Sequence, residues 1–241
     1  MKGTHVIGGG GLLLVASLMM VPMNLKAQEE EPTSGARQNQ KSSPFDVGGD
    51  LVSSYLWRGT KFGTGPAVQP YLELALGNFT IGGWGSYSFG NSDFAEADIY
   101  LSYGFDFGLS IGLTDYYFPG EGSNYFEFSD SSGTHGLEVN LGYEIKGFSV
   151  SANYMINEAP TAGTTGGDIY FELGYAFKHF GIHLGAGDGW HTEGDKFAIC
   201  NIGITSSKDI QITEKFSLPV SGALIWNPER EQYHVVVGVS F

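Results

Sequence analysis

The chain has 241 residues, of which 16% are charged, 14% are aromatic and 37 are glycine. Twelve basic against 26 acidic residues give a formal net charge of −14, which argues against a nucleic-acid partner, because such proteins need a basic stripe to displace counterions from phosphates. So little charge is unusual for a soluble surface and suits strands that meet lipid on one side and water on the other.

The first segment, residues 1–27, is expected to be a cleaved signal peptide. Lys2 is a basic start, Leu12 to Val21 is a short apolar run, and Ala27 is a small residue at its end, the order in which secretory signals are built. A membrane helix needs about 20 apolar residues, and Pro22, Asn24 and Lys26 interrupt the run before that. Gly8–Gly11 falls inside this segment and opens no phosphate-binding turn. Residues 28–44 are polar and lack the apolar residues that build a core, so they are expected to form a flexible periplasmic tail.

From Phe45 onward the chain alternates with a period of two. Phe45, Val47, Gly49, Leu51, Ser53, Tyr55 and Trp57 fall on one face, and Asp46, Gly48, Asp50 and Arg58 on the other. Only a strand sends successive side chains to opposite faces. The pattern predicts twelve strands: residues 45–58, 67–76, 79–89, 95–107, 109–118, 135–145, 148–157, 168–177, 180–189, 196–205, 210–225 and 231–241. Their connections alternate between short turns, such as Gly77-Asn78, Lys146-Gly147 and Ser206–Asp209, and longer loops, such as Gly59–Pro66, Pro119–Thr134 and Glu158–Gly167. An even strand number with turns at one end and loops at the other is the pattern of a transmembrane antiparallel up-and-down barrel. The apolar face supports it. Phe79, Tyr103, Phe148, Tyr175 and Phe241 gather at the turn end, and Tyr55, Trp57, Tyr87, Tyr117 and Tyr233 at the loop end. Leu72, Ile81, Ile99, Leu101, Leu141 and Val237 lie between them. Aromatic rings settle at the headgroup level and aliphatics in hydrocarbon.

The last strand, Tyr233 to Phe241, ends on an aromatic residue after alternating apolar ones. It resembles the terminal strand that the outer-membrane assembly machinery recognises, which makes that machinery and the outer-membrane lipids the expected partners. The segments Asp50-Leu51-Val52-Ser53-Ser54-Tyr55-Leu56-Trp57-Arg58-Gly59, Pro66-Ala67-Val68-Gln69-Pro70, Gly83-Trp84-Gly85-Ser86 and Tyr116-Tyr117-Phe118-Pro119-Gly120 are similar to those of the TorF-type porins, a family of largely uncharacterised outer-membrane barrels. The likeness runs from about residue 45 to residue 130, with Phe118 where the family has tyrosine. It implies a barrel with pore activity and brings no catalytic, cofactor or ligand residues with it.

The inward face is expected to carry Glu73, Glu96, Asp98, Glu138, Glu144, Asp168 and Glu172, with Arg58 the one cation near the outer mouth and Tyr71, Tyr100 and Tyr170 among the inward aromatics. A tube lined by carboxylates concentrates cations and repels anions. The expectation is an outer-membrane channel for small solutes with cation preference and no cofactor. Twelve strands lie between barrels filled by side chains and those that enclose a channel, so the inward aromatics either narrow the lumen or close it. Two rivals remain. One is a lipid hydrolase using His135 or His234 with Ser131 or Ser132; the other is a structural or adhesive surface barrel with a closed lumen. Asp188, His191, Glu193 and Asp195 crowd one loop, which reads first as a solvated acidic loop and second as a Ca²⁺ site.

Overall fold

The structure, a computed structural model, describes residues 43–90, 94–120, 124–129, 132–214 and 216–241. The expected signal peptide, nearly all of the expected tail, and Ser131 lie outside the described residues.

Fourteen strands follow in chain order: β1 (Phe45–Val52), β2 (Tyr55–Trp57), β3 (Thr60–Phe62), β4 (Ala67–Leu76), β5 (Phe79–Ser88), β6 (Ala95–Gly104), β7 (Leu109–Tyr117), β8 (His135–Ile145), β9 (Phe148–Met155), β10 (Ile169–Ala176), β11 (Gly181–Gly187), β12 (Ala198–Thr213), β13 (Phe216–Asn227) and β14 (Gln232–Ser240). Twelve of them, β1 and β4 to β14, pair antiparallel with their chain neighbours, and β1 closes the ring against β14 through Asp50↔Ser240, Leu51↔Val239 and Val52↔Gly238. The protein is a closed twelve-stranded antiparallel barrel. Closure pairs every strand edge, which a lipid-embedded sheet requires.

Alternation decides which face meets what. Leu72, Ile99, Leu101, Leu141, Leu173 and Val237 are exposed on the outer wall, with Phe79, Tyr103, Phe148 and Tyr175 at its turn end. No helix among the described residues is long and apolar enough to cross a membrane. A wall this apolar on the outside is solvated by acyl chains rather than by water.

Inside, glycines opposite bulky residues let rings cross the lumen. A Cβ at Gly82 would come within 2.5 Å of the Tyr100 ring, and one at Gly185 within 2.0 Å of the Tyr170 hydroxyl. Only glycine leaves that room.

Two sequence expectations need correction. The first strand stops at Val52 instead of running to Arg58. Residues 55–62 turn into the barrel as the hairpin β2–β3, registered Tyr55↔Phe62 and Trp57↔Thr60. Tyr55 and Trp57 are therefore buried in the lumen and do not belong to the outer aromatic band. Alternation is the same whether a segment continues the wall or folds back, so periodicity alone cannot separate the two. The second correction concerns Ser206–Asp209, which is not a turn but the middle of β12, paired with Pro219–Gly222. Ser-Ser-Lys-Asp has turn chemistry, yet the polar and apolar alternation continues through it to Ile212, and the ladder follows the alternation.

Candidate functional site: a latched hairpin over an acidic lumen

The hairpin β2–β3 enters from the loop end and fills that half of the lumen. Its two-residue turn is Arg58-Gly59, with φ of 49° and 82°. Positive φ at both central positions is what a type I′ turn demands, and it strains a non-glycine residue such as Arg58. The tip is pressed against the wall: a Cβ at Gly59 would lie 2.0 Å from the Cys200 carbonyl oxygen, and Asn227 Nδ2 donates to the Gly59 carbonyl at 3.1 Å.

Arg58 reaches across the lumen to β8. Its Nη1 and Nη2 donate to Glu138 Oε1 and Oε2 at 2.7 and 2.9 Å, a bidentate pair buried from solvent. Glu138 also accepts from the Tyr116 hydroxyl at 3.0 Å and from Asn140 Nδ2 at 2.7 Å. Asn140 passes the network on to Asn153 Oδ1 at 2.9 Å. The guanidinium lies 4.5 Å from the Trp57 ring centre and 4.4 Å from that of Tyr170, a cation–π cage. Burial alone would lower the Arg58 pKa; the Glu138 carboxylate outweighs it and leaves the guanidinium above its ordinary range. Burial, and then Arg58, hold His191 well below the usual histidine pKa. Its Nε2, 3.4 Å from Arg58 Nη1, therefore stands as a neutral acceptor.

Around this latch the aromatic rings close ranks. Trp57 packs on Trp190 at 4.9 Å and on Tyr116 at 5.5 Å, and Tyr55 on Phe62 at 5.4 Å and Trp84 at 5.5 Å. Tyr55, Trp57 and Tyr116 are at most 4% exposed. Glu96, Asp98 and Tyr170 are buried in the same layer, so they do not line open water.

The turn-side half is different. Tyr71, Glu73, Tyr100 and Glu172 are half-exposed there. The Tyr100 hydroxyl donates to Glu73 Oε1 at 2.6 Å, and the Tyr170 hydroxyl, reaching down, to Glu172 Oε2 at 2.6 Å. Asn201 Nδ2 donates to both Tyr170 Oη and Glu172 Oε2, at 3.0 and 3.1 Å. Asp46, Asp50 and Glu144 face the same space, and among the described residues no lysine or arginine on the lumen face of a wall strand joins them. Asp168 sits apart from this group, buried in the loop ahead of β10, where it accepts from the Thr164 hydroxyl.

The residues named for rival chemistries are differently occupied. His135 Nδ1 lies 2.8 Å from Asp115 Oδ1, and its Nε2 is hydrogen-bonded to the Tyr125 carbonyl. With both ring nitrogens engaged, none is free to activate a nucleophile in this arrangement. The acidic loop disperses: Asp188 accepts the Ile169 amide at 2.8 Å, Glu193 pairs with Arg230 at 2.6 Å, and His191 turns inward. Among the described residues no cluster of three or more histidine, cysteine, aspartate or glutamate side chains could hold a metal.

Residues 38–217 match the family described as bacterial protein of unknown function (Gcw_chp). The chain belongs to that family. The match does not carry the TorF-type name, which rests on the motifs alone. No curated protein matches the chain in sequence. Among solved structures, a mutant of the Rh. blastica porin is 15% identical with a TM-score of 0.40, covering 73% of this chain and 55% of its own. The KdgM porin is 13% identical with a TM-score of 0.46 over 81% of this chain and 97% of its own. OccAB3 of Acinetobacter baumannii is 11% identical with a TM-score of 0.34, covering 81% and 59%. The chain thus spans little more than half the length of the Rh. blastica protein.

Proposed function

We propose that this chain is an outer-membrane channel for passive diffusion of small, preferably cationic solutes, its outer mouth narrowed by an inturned hairpin. One observation carries the reading: the turn-side lumen is wet enough to leave Glu73 and Glu172 half-exposed, and among the described residues its inward carboxylates have no lysine or arginine counterpart on the lumen face of the wall strands. Low-dielectric walls focus such a field, and the lumen attracts cations before any specific contact is made. The apolar outer wall supports insertion in a bilayer. The exposed Phe241 at the end of β14 supports recognition by the assembly machinery; its deletion should cut the folded, membrane-inserted fraction.

The aromatic seal favours a second reading, a surface barrel that conducts nothing. Planar-bilayer recording separates the two. The channel reading expects discrete conductance steps and, under a KCl gradient, a reversal potential on the cation-selective side. Absence of steps at any voltage, both for the wild type and for a chain in which residues 55–62 are replaced by a glycine-serine linker, removes it.

A further inference from the structure

Among the described residues, the wall strands carry three buried carboxylates in the loop-side lumen, and a basic side chain neutralises only one of them. Arg58 is committed to Glu138. Glu96 and Asp98, two residues apart on the inward face of β6, are each 2% exposed. Across the ladder they face Ser86 and Trp84 of β5. Tyr55 of the hairpin packs on the Trp84 ring and so covers the pair, with Glu96 and Asp98 as the leading charges acting on its phenol. Neither oxygen of Asp98, nor Glu96 Oε2, nor the Tyr55 hydroxyl makes a hydrogen bond of normal geometry. Oxygen atoms from two elements therefore lie together where the only donors are the Tyr55 phenol toward Glu96 and the Tyr117 amide toward Asp98, and where among the described residues no positive charge acts on the pair. Burying carboxylates in that way is costly unless something compensates them.

We propose that Glu96 and Asp98, with the Tyr55 hydroxyl, form a binding site for one hard divalent cation of the Ca²⁺ or Mg²⁺ kind. Two carboxylates match a double positive charge. An all-oxygen donor set without histidine or cysteine selects hard cations over zinc or copper, and Mg²⁺ in particular is held by one or two carboxylates with water completing its shell. Because one ligand comes from the hairpin and two from the wall, a bound ion ties the hairpin to β6, two strands along the ring from the Arg58–Glu138 latch on β8. The site does not depend on whether the barrel conducts.

The test uses the folded full-length mature barrel in detergent, stripped with EDTA and titrated with CaCl₂ or MgCl₂ by calorimetry and thermal unfolding. One high-affinity site per chain and a rise in Tm with at least one ion are expected. Asp98→Asn should weaken binding at least tenfold, and the Glu96→Gln/Asp98→Asn double variant should lose the Tm rise. In EDTA that double variant should be at least as stable as the stripped wild type, because the amides remove uncompensated charge; this also shows that lost binding is not lost folding. Neither ion shifting the wild type would overturn the proposal, as would an unchanged shift in the double variant, which would place the ion on exterior acids instead. Conductance recorded alongside is a separate readout: a conducting barrel that ignores both ions sinks the site and leaves the channel reading standing.

Discussion

The two halves of the lumen are built by the same alternating strands and treat inward polar groups in opposite ways. On the turn side carboxylates keep contact with water and lean on tyrosine hydroxyls, as Glu73 does on Tyr100. On the loop side the hairpin has expelled water, so a carboxylate there needs a fixed partner, as Glu138 has in Arg58. One inserted segment of eight residues makes this difference. The lesson is that a lumen carboxylate's role depends on what covers it and not on its facing inward.

The largest expected effect comes from cutting the latch. Arg58→Ala leaves Glu138 buried with an uncompensated charge, which costs about 3–5 kcal/mol. Denaturant unfolding in detergent should show that loss. Glu138→Gln should cost a comparable amount, since it leaves the buried Arg58 guanidinium without its carboxylate. A cost for Arg58→Ala no larger than that of a rim substitution such as Lys146→Ala would mean that the two halves are equally wet.

Next in size is a substitution that both halves should feel alike, on the outer wall. Leu101→Arg places a charge among exposed aliphatics and should cost about 2–4 kcal/mol if it lies at the bilayer midplane, read by folding into vesicles. The same variant in detergent micelles should be less affected, because micelles deform around the charge. Equal tolerance in vesicles and in aqueous buffer would show that the wall faces no lipid.

Glycine positions give a smaller and sharper contrast. Gly185→Ala drives a methyl into the Tyr170 hydroxyl and should cost about 1–3 kcal/mol through overpacking. Gly104→Ala meets nothing within 4 Å and should be close to neutral. Parity between the two would mean that Tyr170 moves freely, and the seal with it.

The barrel was legible in the sequence because lipid and water impose a strict period of two on every strand. The spans 67–76 and 135–145 were read to the residue. The hairpin was not, since Tyr55 and Trp57 continue both the alternation and the aromatic composition of the wall. The signals against a continued strand were Ser53-Ser54 at the bend and Arg58-Gly59 at the turn, short motifs that a longer rhythm outweighs. The inward carboxylates were legible as inward, but their burial was not. Glu138 is separated from Arg58 by 80 residues, and no local pattern encodes that meeting.

The smallest effect on stability should carry the clearest information on charge. Glu73→Gln and Glu172→Gln remove half-exposed carboxylates whose tyrosine hydroxyls can bond to an amide oxygen equally well, so each should cost no more than about 1 kcal/mol. If solutes pass the turn-side lumen, however, each carboxylate contributes to the field along the path. The double variant should then show a reversal potential closer to zero, and the shift should shrink at high salt as screening shortens the field's reach to a few ångströms. Glu138→Gln removes the same formal charge from the loop-side half, where Arg58 already cancels it. That variant should also bring the reversal potential closer to zero, because it leaves Arg58 unneutralised, but its shift should survive high salt better, since a buried charge is screened less. Shifts of one sign but different salt dependence follow from the difference between wet and latched carboxylates, and equal salt dependence would contradict it.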